Sequence, residues 1–152
     1  MATLKNTLIK IAEMYKNGEL NYGAREVYKE TINNRLTVYA AGPGTGKTNM
    51  AMGVADYTMY MNSDTKSEDL VQSFAFEDGQ PTFKNSMLVH AIVNDKAIVL
   101  SDIQELRDDA ALRMIDFIST TDEINGVKIP DNFKMICTFT PMIYNKWYCD
   151  IM

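Results

Sequence analysis

One histidine and two cysteines among 152 residues leave little material for a metal centre or a thiol nucleophile. Cys137 and Cys149 stand in no CxxC or Cys/His spacing, which argues against the common zinc arrangements and a Cys/His catalytic pair. Positive charge is also scarce. Fifteen Lys and Arg against twenty Asp and Glu give a formal charge of −5, so the chain lacks the basic footprint of a strong non-specific nucleic-acid binder. No eighteen-residue apolar run occurs, and the start MATLKNTLIK has neither the apolar stretch nor the small-residue cleavage site of a secretory signal. A cytoplasmic chain without a membrane partner is expected.

What remains is ordinary globular material, 46% hydrophobic and 23% charged, of a length that suits one domain. Leu4, Leu8, Ile11, Ala12 and Tyr15 recur at helical spacing and predict a helix over 3–17. A second helical stretch is expected over about 22–33, so that residues 1–34 form N-terminal helices before a core at 35–141 and a short tail at 142–152. Within the core, LTVYA (36–40) reads as a buried strand and 47–57 as a helix. YTMYMN (57–62) reads as a strand and KSEDLVQS (66–73) as a short helix. SFAFEDGQPTFK forms a hairpin on Asp78-Gly79.

SMLVHAIVN (86–94) is helical, and KAIVLSD (96–102) is a continuous apolar strand that ends on a carboxylate. A helix over 105–118 presents Leu106, Ala110, Leu112, Ile115 and Ile118 inward, EINGVKIP turns on Asn125-Gly126, and FKMICTFTP is the last strand. Apolar strands alternating with helices predict an α/β, three-layer core: a parallel sheet with helices on both faces and two hairpin insertions.

Between the first core strand and its helix lies AAGPGTGKTNM (40–50). Three glycines and a proline in five positions can continue neither element, so the chain must leave the strand through a tight loop. A glycine-rich loop in that context, closed by Gly-Lys-Thr, has the form of a phosphate-binding loop. Gly42, Gly44 and Gly46 let backbone N–H groups converge on phosphate oxygens, with Pro43, Thr45 and Asn49 completing the wrap, and the start of the next helix adds its positive end. Lys47 would place an ammonium between the β- and γ-phosphates, and the Thr48 hydroxyl would bind Mg²⁺. The metal must also be held from a second strand, and Asp102 at the end of KAIVLSD meets that need. The bland alternatives, a glycine turn and a surface aspartate, do not account for the pairing.

The loop GPGTGKT, the stretch from DLVQSFAFEDGQ to KAIVLSD, the following helix and hairpin, and FKMICTFTP together resemble the AAA+ ATPases, within them the MoxR-like or dynein-related branch. The resemblance runs from about residue 20 to residue 141. It implies ATP and Mg²⁺ as ligands, assembly into a homo-oligomer or ring, and remodelling of a protein or nucleic-acid client. It also implies a glutamate directly after the metal-binding aspartate, to activate water. Here Ile103 follows Asp102, and Glu105 is the nearest acid that could substitute, provided the strand end curls into a turn. The family's polar sensor before a proline maps onto Thr140, with Thr138 as the alternative.

The usual fifth strand and C-terminal helical lid do not fit in the eleven residues after Pro141. Arg107 and Arg113 are conceivable stand-ins for a neighbour's arginine finger, although ordinary solvated helix residues explain them as well. Phe83 and Lys84 lie where ring ATPases often grip partners, though plain hairpin packing explains them too. Two functions follow: a slow or partner-dependent ATPase, and a nucleotide-binding module that scarcely hydrolyses, acting as a switch, assembly subunit or competitor in a ring.

Overall fold

A computed structural model describes residues 2–21, 26–43 and 46–141, apart from the side chain of Phe74. Among the described residues four helices and nine strands follow one another as α1 (Leu4–Lys16), β1 (Tyr28–Asn33), β2 (Leu36–Ala40), α2 (Lys47–Met52), β3 (Tyr57–Tyr60), β4 (Gln72–Glu77), β5 (Gln80–Asn85), α3 (Met87–Val93), β6 (Ile98–Ser101), α4 (Asp109–Thr120), β7 (Glu123–Ile124), β8 (Val127–Lys128) and β9 (Met135–Phe139). Single 3₁₀ turns occupy Ser67–Leu70 and Ile103–Glu105.

The central sheet runs in the order β1-β2-β9-β6-β3. From β2 to β3 every pairing is parallel, and β1 closes one edge antiparallel to β2. The loop strand β2 and the acid-ended strand β6 therefore flank β9 on either side. This arrangement brings the C-terminal ends of all three to one rim, where an open parallel sheet offers its ligand crevice.

Period-two alternation divides the sheet into two unequal faces. Leu36, Val38 and Ala40, Ile98 and Leu100, and Met135, Cys137 and Phe139 pack with α1, α3 and α4 into the main core. Tyr39, Val99 and Ile136 meet Ala51 of α2 in a small second cluster. Both faces are covered, as the apolar strands predict, but the α2 side is thin.

Three expectations need correction. Tyr28–Asn33 is strand rather than helix, and residues 22–25 lie outside the described residues. The β1 sequence YKETIN has a half-buried, mixed face suited to an edge strand, and such a pattern is easily mistaken for an amphipathic helix. The helix after the loop ends at Met52 rather than 57, because Gly53 caps it and β3 begins at Tyr57. The helix expected over 105–118 starts only at Asp109, since Asp108 serves as its N-cap by accepting from the Ala110 N–H at 3.1 Å. Ala111 consequently faces inward instead of Ala110, and buried Leu106 lies before the helix.

The two tight turns match expectation. Asp78 and Gly79 have φ of 52° and 77°, and Asn125 and Gly126 have 50° and 77°. Positive φ at both central residues is what a two-residue hairpin of native twist requires. Phe76 and Phe83 are 69% and 65% exposed on the first hairpin, and Lys84 pairs with Glu77 across it.

The N-terminal helix is tied to the rest at its start and at its middle. Asp116 of α4 accepts from the Leu4 N–H at 2.8 Å, and Lys10 reaches Glu30 of β1 at 3.0 Å. Tyr28 donates to the same Glu30 at 2.6 Å, and that bond, with burial and the carboxylate's charge, pushes its phenol up to about 12. An acid held above its unfolded value contributes stability below that value and loses it as pH rises toward 12. Glu30→Gln should therefore bring the Tyr28 step in an absorbance titration back toward the ordinary phenol range, assigned by difference against Tyr28→Phe. An unchanged step would refute the contact.

Candidate functional site

The loop after β2 begins at buried Ala41 and Gly42, with the Ala41 N–H bonded to the Phe139 carbonyl at 3.2 Å, so its first residues are fastened to β9. Pro43 and Gly46 are exposed, while Gly44 and Thr45 lie outside the described residues. Gly46 has φ of 84°, and a Cβ there would meet nothing within 4 Å. Glycine is needed at this position for its left-handed backbone, not for space. Helical geometry then leaves the N–H groups of Lys47, Thr48 and Asn49 without intrahelical acceptors. Because α2 has only six residues, those first-turn groups matter more than a long summed dipole.

Lys47 is only 6% exposed. Among the described residues no hydrogen bond or ion pair reaches its ammonium, and burial pushes that group below the usual lysine range while the charge of Asp102 pulls it partly back. A buried ammonium without an acceptor is costly, and a phosphate oxygen is an acceptor of matching charge. Thr48, beside it, is half-buried.

The end of β6 is more elaborate than the sequence suggests. Asp102 takes a left-handed backbone, φ 63° and ψ 51°, which costs roughly 1–2 kcal/mol for most side chains and is best tolerated by Asp and Asn. Its N–H donates to Thr138 Oγ1 at 2.9 Å, and that fully buried hydroxyl also lies 3.5 Å from Ser101 Oγ. The chain then curls into the 3₁₀ turn, with the Glu105 N–H bonded to the Asp102 carbonyl at 3.0 Å. Ile103 is buried, Glu105 is exposed, and Gln104, 8% exposed, turns back under the strand ends. Gln104 Oε1 accepts from the Thr140 N–H at 3.1 Å, and Gln104 Nε2 approaches Asp102 Oδ1 at 3.4 Å.

The structure thus joins Asp102, Gln104, Thr138 and Thr140 in one hydrogen-bonded set, with Lys47 within the field of Asp102. Thr138 is committed to supporting Asp102, and Thr140 is buried at the rim beyond β9. Glu105 is not drawn in: among the described residues no hydrogen bond links its carboxylate to Lys47, Asp102 or Thr140. Arg107 and Arg113 are exposed, and Arg107 donates to the Gln104 carbonyl at 3.4 Å.

Sequence reasoning missed Gln104. An amide two positions after a strand-ending acid, next to the apolar Ile103, was the available signal, but its role depends on the left-handed turn at Asp102.

A family model for the AAA domain, dynein-related subfamily, matches residues 42–126, more than half of the chain. The protein belongs to that AAA family. A search of curated proteins found no match. As an AAA domain the chain is a nucleotide-binding module of the ATPase type, and such domains generally bind ATP with Mg²⁺ and frequently oligomerise. The match begins in the loop and includes Asp102 and Gln104, but β9 lies beyond it, so Thr138 and Thr140 enter through geometry alone.

Among the described residues of this AAA domain no three His, Cys, Asp or Glu converge as a ready metal cage. Mg²⁺ held by one hydroxyl, one carboxylate and substrate phosphates needs none, and Thr48 and Asp102 fit that mode. No helix among the described residues is long and apolar enough to cross a membrane.

Proposed function

We propose that this AAA domain binds Mg-ATP at the rim formed by β2, β9 and β6, and that it hydrolyses ATP slowly or under the control of a partner. The observation that carries this reading is Lys47: a buried cation with no acceptor among the described residues, opposite a strand-end carboxylate. The loop N–H groups and Lys47 would hold the β- and γ-phosphates. Thr48 and Asp102 would hold Mg²⁺, which when bound neutralises charge developing on the phosphoryl oxygens. Thr140 would address the γ-phosphate or a water beside it. Glu105 sits on the curled strand end that a substitute base requires, and as an exposed acid it would depend on substrate or a neighbouring subunit to bring it into play. The MoxR-like branch, ring assembly and a remodelled protein or nucleic-acid client belong to the same reading.

One observation favours binding without appreciable turnover. Ile103, where the family resemblance implies the water-activating glutamate, is an apolar side chain sealed in the core. Such a module would act as a switch, an assembly subunit or a competitor in a ring.

Calorimetry with ATP, with and without Mg²⁺, tests the shared part of both readings. Asp102→Asn keeps the shape and the tolerance for a left-handed backbone but loses the charge, so it should fold as wild type and lose about 10-fold or more of the metal-dependent gain in affinity. Retention of that gain would remove Asp102 from the metal site. Phosphate release that falls in Glu105→Gln would separate the ATPase from the non-hydrolysing module.

A further inference from the structure

Between the strand that ends in Asp102 and the strand that ends before Thr140 lies one polar side chain with both of its ends engaged. Gln104 is 8% exposed and sits in the 3₁₀ turn Ile103–Glu105. Hydrogen-bond chemistry alone fixes its orientation. The Thr140 N–H can only donate and an ionised Asp102 carboxylate can only accept, so the amide oxygen must face Thr140 and the amide nitrogen Asp102. The distances, 3.1 Å and 3.4 Å, are those of that orientation.

We infer that Gln104 is a positioning residue for the metal-binding carboxylate. Its amide holds one oxygen of Asp102 and so presents the other toward the rim. It also ties that orientation to the Thr140 backbone, so that the metal side and the β9 side of the site are set together. Support of this kind matters here because Asp102 is already in an unfavourable backbone region, and its other described bonds, to Thr138 and to the Glu105 N–H, act on its backbone rather than on the carboxylate. Groups that orient a metal ligand typically contribute about 10–100-fold to metal affinity.

The inference rests on the Mg-ATP reading above, and the test keeps the two apart. ATP binding is measured by calorimetry in excess EDTA and in Mg²⁺ for wild type, Gln104→Met, which fills the space without either bond, and Gln104→Asn, which is too short to span both contacts. Circular dichroism melts establish folding first. The expected result is a loss of about 10-fold in the Mg²⁺-dependent gain in affinity, with metal-free ATP binding unchanged.

If Gln104→Met does not fold, Gln104→Asn carries the measurement. The inference is overturned by a folded variant that keeps the full Mg²⁺ gain, by equal losses with and without metal, or by failure of both variants to fold, since each outcome makes Gln104 a packing residue only. Wild-type binding without any Mg²⁺ gain overturns it as well, while leaving the nucleotide site standing. Wild type that binds no ATP at all removes the underlying reading and this inference with it.

Discussion

Lys47→Met should lose about 10- to 150-fold in ATP affinity, the equivalent of the roughly 1.5–3 kcal/mol that a hydrogen bond to a charged group contributes. The same substitution should leave the ligand-free protein as stable as wild type or more so. The two effects have opposite signs for one reason. In the folded chain Lys47 is 6% exposed, with burial working against its charge, so the native state carries a desolvation cost that a thioether of similar length does not. A bound phosphate would turn that cost into an attraction. Calorimetry and urea unfolding measure the two halves separately. A structural lysine would behave in the reverse manner, with affinity retained and the unfolding midpoint lowered, and that outcome would end the case for a phosphate loop.

Phe139→Ala is the substitution expected to cost most in stability, about 3–5 kcal/mol, as for other aromatic-to-alanine changes in a packed core. Phe139 is fully buried on β9, the strand that lies between β2 and β6, and its carbonyl fastens the start of the loop through Ala41. A cavity there removes contacts from the main core and loosens the strand whose end carries Thr140. For a domain whose total stability is of order 5–15 kcal/mol, such a loss brings the native state near its threshold. Urea unfolding should show a lowered midpoint with an unchanged slope, and Phe139→Leu should recover most of the loss. A small effect from the alanine would mean that β9 is not the central support the topology makes it.

Much of the architecture could be read from residue order because the signals are local. The run AIVL is apolar at every position, which only a strand covered on both faces can use, and Ile98–Ser101 became β6, buried throughout. Asp78-Gly79 and Asn125-Gly126 encode left-handed backbone directly, so both turns fall where expected. Misreadings occurred where local preference was weak. YKETIN carries as much helical as strand pattern, and only pairing with β2, reinforced by Glu30 reaching Lys10 and Tyr28, makes it an edge strand. The late start of α4 came from Asp108, a capping residue hidden in the acidic pair Asp108-Asp109.

The candidate site divides in the same way. Gly46, Lys47, Thr48 and Asp102 could be proposed from residue order because a phosphate loop and a strand-ending acid are defined by chain neighbours a few residues apart. Gly44 and Thr45 belong to that motif and lie outside the described residues. Gln104 and the commitment of Thr138 to Asp102 were not legible, since each bond spans roughly the thirty-six residues between β6 and β9. A hydrogen bond across adjacent strands depends on register, and register is a property of the assembled sheet.

Residue order alone therefore determined most of the element types and the glycine-rich loop with its lysine, because backbone preference and hydrophobic period act over a few residues. The tertiary structure decided which strand closes the edge, which of two threonines supports Asp102, and that an amide rather than Glu105 lies beneath it. Those outcomes follow from which side chains the parallel register brings within hydrogen-bond reach, and no local preference encodes that.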